Sequence, residues 1–186
     1  DPYWPKKAME GHPEDIVPCL RCSNCYHISS DHWNVGCSVN PRYHHQEFVP
    51  SEINLPKAET KKHVVILGGG PAGMKAAITA SDRGHKVTII EKQKELGGML
   101  RFISKEAHKE EVQRLLDYYL TQIFKREIEV LLNTEADPEL VKELQPDSLL
   151  IAFGAVERIL PIPGVEGEKV QLATKAIAHP EQLGQN

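Results

Sequence analysis

Apolar positions are distributed in two regimes along this 186-residue chain. The first fifty residues show no sustained period of 3.6 or 2, whereas from His63 onward apolar runs alternate with helix-period stripes. Val64-Val65-Ile66-Leu67 and Val87-Thr88-Ile89-Ile90 are short continuous apolar runs, the pattern of parallel strands covered on both faces. Between them a glycine-rich turn opens a helix that should end near Arg83. Val112, Leu115, Leu116, Tyr119 and Ile123 fall at i, i+3, i+4, i+7 and i+11, which predicts a long helix over about 106–126 with a core-facing stripe. Ile128, Val130 and Leu132 alternate as a strand. Pro138 to Leu144 fits a short helix with Asp137 as N-cap and Pro138 at its first position. Ser148 to Phe153 reads as one more buried parallel strand, and the last two dozen residues, with Pro163, Gly164 and Gly167, carry little periodicity. The order of elements predicts an α/β fold.

Composition divides the chain at the same place. Residues 1–50 are rich in Pro, His, Cys and aromatic side chains and need cross-links to fold; residues 51–61 read as a linker; residues 62–186 carry the α/β pattern. A formal net charge of −4, with Lys6-Lys7 and Lys61-Lys62 as isolated basic pairs, excludes a nucleic-acid footprint. No run approaches the roughly 18 apolar residues of a membrane span. The opening Asp1-Pro2-Tyr3-Trp4-Pro5 resembles no signal or transit peptide, so the chain is expected to be a piece of something longer or a processed product. Reduced cysteines point to the cytoplasm.

Two motifs carry chemistry. Gly68-x-Gly70-x-x-Gly73, a turn that includes Pro71 and Ala72, follows an apolar strand and opens a helix, the context a dinucleotide site requires. Gly68 permits the tight turn, Gly70 lets backbone amides approach a pyrophosphate, and Gly73 lets helix and strand pack closely at the helix N-terminus. Glu91 closes the second strand eighteen residues after Gly73, where a carboxylate accepts both ribose hydroxyls and repels a 2′-phosphate. Gly97-Gly98 offers a second glycine pair near the phosphates. These parts specify an adenine dinucleotide and leave open which one.

The second motif is Cys19, Cys22 and Cys25 at steps of three, then Cys37 after eleven residues. Three thiols on one loop suit a cubane iron–sulfur cluster. Zinc sites more often use two separated Cys-x-x-Cys pairs, and a disulfide framework is a poor match for a chain without a secretory segment; both remain alternatives at this point.

Taken together, these residues resemble the iron–sulfur flavoenzymes typified by 2,4-dienoyl-CoA reductase, 2-enoate reductase and trimethylamine dehydrogenase, relatives of the old yellow enzyme-like NADH:flavin oxidoreductases. Asp1 to Ala8 resembles the segment leaving the FMN-bearing barrel of that family. Glu14 to Cys19 and Cys37-Ser38-Val39-Asn40-Pro41 resemble the flanks of its [4Fe-4S] site, and Ala152-Phe153-Gly154-Ala155 resembles a landmark of its FAD domain. The resemblance implies a Rossmann-like FAD-binding half-domain preceded by an irregular four-cysteine iron–sulfur segment. Cys19, Cys22, Cys25 and Cys37 would hold the cluster; the glycine motif, Glu91, Ala152 and Gly154 would hold FAD, or ADP as in trimethylamine dehydrogenase. Electrons would pass from NAD(P)H through FAD and the cluster to FMN. The FMN-bearing TIM barrel, in the same protein or a partner chain, and a nicotinamide-binding domain lie outside this sequence. Phe153 departs from the family's usual Thr, which leaves room for an ADP-only pocket.

Other residues attract less. His44-His45 follow Cys37, yet four cysteines need no fifth ligand, and His85 fits a turn before the second strand. Tyr3, Trp4, Tyr26 and Trp33 are expected to pack the irregular segment against the barrel. Asp147, Glu157 and Arg158 form no nucleophile–base pair.

Overall fold

The computed structural model describes residues 1–26 and 36–182; Trp33 lies outside the described residues. Four strands form one parallel sheet: β1 (His63–Leu67), β2 (Lys86–Ile90), β3 (Ile128–Leu131) and β4 (Ser148–Ile151), in the order β3-β2-β1-β4. Register pairs Val64 with Val87 and with Ser148, and Ile90 with Leu131, so the carboxyl ends of β1 and β2 finish level. Ligands of open α/β sheets bind beyond those ends.

Strand β1 feeds the glycine turn, and α2 (Pro71–Asp82) starts immediately after it. Gly70 is its N-cap in extended backbone, and Pro71 occupies the first turn, where a missing N–H costs nothing. Met74, Ala77 and Ile78 face the sheet; burying Met74 and Ile78 contributes roughly 4 kcal/mol before entropy is charged. Helix α4 (Glu110–Phe124) packs beside α2 and buries Leu115, Leu116, Tyr119 and Ile123, four members of the stripe read from sequence, with Val112 half-buried. On the other face Val65, Leu67 and Ile90 meet Leu140, Val141 and Leu144 of α5 (Pro138–Leu144). Asp137 caps α5 as expected, its side chain accepting from the Leu140 amide at 2.7 Å. Asp137→Ala should cost about 1 kcal/mol in a denaturant melt, with Asn restoring most of it.

The irregular first segment is less irregular than its pattern suggests. Helix α1 (Trp4–Met9) forms there, because Pro5 presets the first turn and Lys-Lys-Ala-Met are helix formers. It is anchored by the buried Asp1 carboxylate, which accepts from the Tyr3 and Val17 amides and pairs with Lys7 at 2.8 Å. Val17, Leu20 and Val39 pack against the core beneath α2 and α4. Gln122 and Lys125 of α4 reach Asp15 at 2.6 and 2.7 Å, and Lys125 reaches Glu14 at 2.6 Å. The stretch read as a linker is also fastened. The Ala58 amide donates to the Arg83 carbonyl, and Lys57 Nζ donates to the Asp82 carbonyl.

Three expectations need correction. The long helix begins at Glu110, and a separate turn, α3 (Leu100–Ile103), precedes it; His108 with φ 65° breaks the helical path between them. A short helix, α6 (Ala173–Ala178), forms in the C-terminal stretch that showed no period. The fourth strand ends at Ile151, and its apolar side chains are not buried within this chain: Leu150 is 38% and Ile151 is 68% exposed. Position explains this, since β4 is the sheet edge beyond β1 and the residues that follow it, Val156, Ile159, Leu160 and Ile162, are exposed too. A continuous apolar run thus identified the strand and its sheet type, and said nothing of which neighbours cover it.

Candidate functional site

Two groups of residues lie around one helix. The first is the glycine turn. Gly68 has φ +108°, and a Cβ there would stand 2.4 Å from the Ala152 carbonyl oxygen, so the turn can fold against β4 only with glycine. At Gly73 a Cβ would stand 1.9 Å from the Gly68 carbonyl oxygen; here the helix lies directly on the turn. Gly70 differs, since a Cβ there meets nothing within 4 Å. Among the described residues nothing accepts from the amides of Gly70, Ala72 or Gly73, while Met74 donates back to the Gly70 carbonyl. Open space, free amides and the positive end of α2 make a cradle for a pyrophosphate.

Glu91 is 7% exposed at the end of β2. Its Oε2 accepts from the Gly69 amide at 2.7 Å and its Oε1 from the Gln93 amide at 2.8 Å. The carboxylate is thereby held against the turn with further lone pairs on each oxygen to accept ribose hydroxyls. The Gly97 amide donates to the Gly69 carbonyl at 2.8 Å, and a Cβ at Gly98 would stand 3.0 Å from the Gly70 Cα. The second glycine pair therefore closes over the first. Ala152 continues β4, its amide donating to the Leu67 carbonyl at 2.8 Å, and Phe153 beside it is 64% exposed. A Cβ added at Gly154, which has φ +77°, would meet nothing within 4 Å.

The second group is the cysteines. Cys19, Cys22 and Cys25 are exposed, and Cys37 is half-buried. Arg21 and Ser23 both adopt left-handed backbone, with φ 51° and 58°, which curls the loop around its sulfurs. The Arg21 amide donates to Cys19 Sγ at 3.4 Å, and Cys22 Sγ lies 3.3 Å from Ser38 Oγ. That Ser38 hydroxyl, aided by the Asn24 amide, holds the Cys22 thiol below its ordinary range and favours the thiolate that ligates metal. The His12, Glu14 and Asp15 ligand atoms lie within 4.8 Å of one another, with Lys125 paired to both carboxylates.

Helix α4 touches both groups. Glu111 pairs with the Arg21 guanidinium, and a Cβ at Gly97 would strike Leu116 Cδ1 at 2.8 Å. Five residues separate Glu111 from Leu116, about 7.5 Å of helix rise. Nothing in the sequence pattern announced Glu111, because one more glutamate in a first turn looks like ordinary helix-dipole chemistry. His85, Asp147 and Glu157 make backbone contacts. His85 Nδ1 accepts from the Lys62 amide, Asp147 accepts from the His63 amide, and Glu157 binds Thr174. Tyr26 is 80% and Trp4 56% exposed. Among the described residues no helix is long and apolar enough to cross a membrane.

Known proteins share this sequence and fold. The pyridine nucleotide-disulphide oxidoreductase family matches residues 62–185. An NADH oxidase of Thermoanaerobacter brockii is 40% identical over 172 residues, covering 90% of this chain and 26% of that protein. A cinnamate reductase of Clostridium sporogenes is 35% identical over the whole chain and 27% of its own length. A 2-naphthoyl-CoA reductase solved with 2-naphthoyl-CoA superposes with a TM-score of 0.89 at 36% identity, over 99% of this chain and 28% of that one. The chain thus spans about a quarter of the length of these relatives. It belongs to the pyridine nucleotide-disulphide oxidoreductase family and, within it, to the flavoprotein oxidoreductases that 2,4-dienoyl-CoA reductase and trimethylamine dehydrogenase typify.

Proposed function

We propose that this chain is the electron-transfer portion of an NAD(P)H-dependent iron–sulfur flavoprotein that reduces an activated C=C bond, as enoate and dienoyl-CoA reductases do. The observation that carries the reading is the shared helix: α4 meets the cysteine loop through Glu111 and the second glycine pair, at Gly97, through Leu116. One rigid element therefore sets the separation of the two sites. Bound FAD would exchange two electrons with a nicotinamide, and a [4Fe-4S] cluster would hand them on singly toward FMN in a TIM barrel.

The residues of this chain have the supporting roles. Gly70, Pro71, Ala72 and Gly73 seat the pyrophosphate, Glu91 holds the ribose, and Gly97 and Gly98 close the turn. Ala152 and Gly154 border the flavin side. Cys19, Cys22, Cys25 and Cys37 ligate the cluster. Residues 1–50 serve as the cluster segment, 51–61 as its connection and 62–186 as the nucleotide domain, working in the cytoplasm beside the FMN-bearing barrel. The NADH oxidase, cinnamate reductase and 2-naphthoyl-CoA reductase relatives support reductive chemistry with a nicotinamide donor.

Phe153 favours one second reading. It stands exposed beside the glycine turn where the family usually has Thr, so the pocket would end at ADP and the chain would serve as a non-catalytic module docked on the barrel. Heat extraction of the purified protein separates the two. FAD in the extract supports electron transfer through this chain, ADP supports the docking module, and NAD or no nucleotide overturns both.

A further inference from the structure

We propose that the Arg21–Glu111 ion pair sets the reduction potential of the centre held by Cys19, Cys22, Cys25 and Cys37, with Arg21 as a positioning residue that also supplies a fixed charge. The proposal rests on the cluster reading above and deepens it. Arg21 sits between two cysteines, in left-handed backbone that a non-glycine residue adopts only at a cost. That conformation turns its amide onto Cys19 Sγ at 3.4 Å while its side chain leaves the loop for α4. There the guanidinium meets Glu111, whose side chain is 11% exposed, while Arg21 itself is 70% exposed. A buried carboxylate needs a counter-charge, and Arg21 provides it. The same cavity of about 490 Å³ is walled by Cys19, Arg21, Glu111, Trp4 and, one turn along α4, Arg114. Two cations, Arg21 and Arg114, and two carboxylates, Glu111 and Asp1, thus line one cavity with one cysteine ligand, the Asp1 carboxylate being already paired with Lys7.

Reduction adds negative charge to a cluster, so a fixed cation nearby raises its potential and a fixed anion lowers it. The two partners must therefore act with opposite signs. Arg21→Gln should lower the potential, and Glu111→Gln, which leaves Arg21 unneutralised, should raise it. Each shift is expected to be about tenfold in the oxidised-to-reduced ratio at a fixed applied potential, or about 59 mV for a one-electron couple. The double variant should return near the wild-type value. Because Arg21 is mostly exposed, all shifts should shrink at high salt. A purely structural latch behaves differently. It would lower stability strongly in Arg21→Gln, where the buried carboxylate is orphaned, and weakly in Glu111→Gln, with no sign reversal in potential.

The test is a mediated redox titration of the intact iron-loaded protein, followed by EPR, on wild type, both single variants and the double variant, with iron content measured on each. Where Arg21→Gln loses its iron, Glu111→Gln decides alone and must raise the potential, with the charge-conserving Arg21→Lys as the control that keeps it. Opposite shifts that cancel in the double variant support the proposal. A shift of the wrong sign, or none, in either single charge-removing variant that retains iron overturns it. Absence of iron from the wild type would instead remove the cluster reading itself.

Discussion

Gly73→Ala is expected to destabilise the protein by about 3 kcal/mol or more, whereas the larger change Gly70→Val should leave its melting midpoint nearly unchanged. The added methyl at Gly73 lands 1.9 Å from the Gly68 carbonyl oxygen and 3.1 Å from its carbon, both backbone atoms that cannot swing aside. The helix must lift off the turn, and with it Met74 and Ile78 lose their seats on the sheet. Gly70 has φ −74° and ψ −176°, extended backbone that any residue adopts, with open space where a side chain would project. That space is the cradle, so Gly70→Val should empty the nucleotide from a folded protein that still carries its iron. Urea melts and nucleotide content after gel filtration decide the pair. If Gly70→Val unfolds like Gly73→Ala, the open face at Gly70 is a packing feature and the cradle assignment fails.

Cys22→Ser should strip the iron and loosen residues 1–50. Cys22 is the sulfur whose thiolate form the Ser38 hydroxyl favours, and it lies at the centre of the tight triple. Nucleotide retention should survive within about threefold, because the second core, where Val65, Leu67 and Ile90 meet α5, takes no residue from the cysteine loop. Some stability should nevertheless be lost. Val17, Leu20 and Val39 rest on the main core, and Gln122 and Lys125 bind Asp15, so a disordered first segment takes those contacts with it. Equal loss of iron and nucleotide would show that the two parts fold as a single unit.

Much of this architecture is legible from local pattern. β1, β2 and the end of α2 fall within a residue of the apolar pattern, while α2 starts at Pro71, inside the glycine motif that reads as a turn. Asp137-Pro138 was sufficient to start α5, since its capping chemistry lies within four residues. Local pattern failed where long-range neighbours decide. The exposure of β4 depends on what lies beyond the sheet edge, and α1 depends on an Asp1 carboxylate bound to Val17 sixteen residues away. The site shows the same division. The glycines and cysteines announce themselves through spacing, whereas Glu111 acquires meaning only when the fold brings Arg21 to it. The role of Gly70 was likewise assigned from its motif, but the contrast with Gly73, open space against backbone contact, is a property of the folded turn.

The central claim is that one helix holds an iron–sulfur centre and a nucleotide site in fixed relation. Its most direct test is quantitative iron, zinc and acid-labile sulfide analysis of the anaerobically purified protein, with a visible spectrum before and after dithionite. About four irons and four sulfides per chain, with broad absorption that bleaches on reduction, are expected. One zinc per chain, with neither iron nor sulfide, would contradict it.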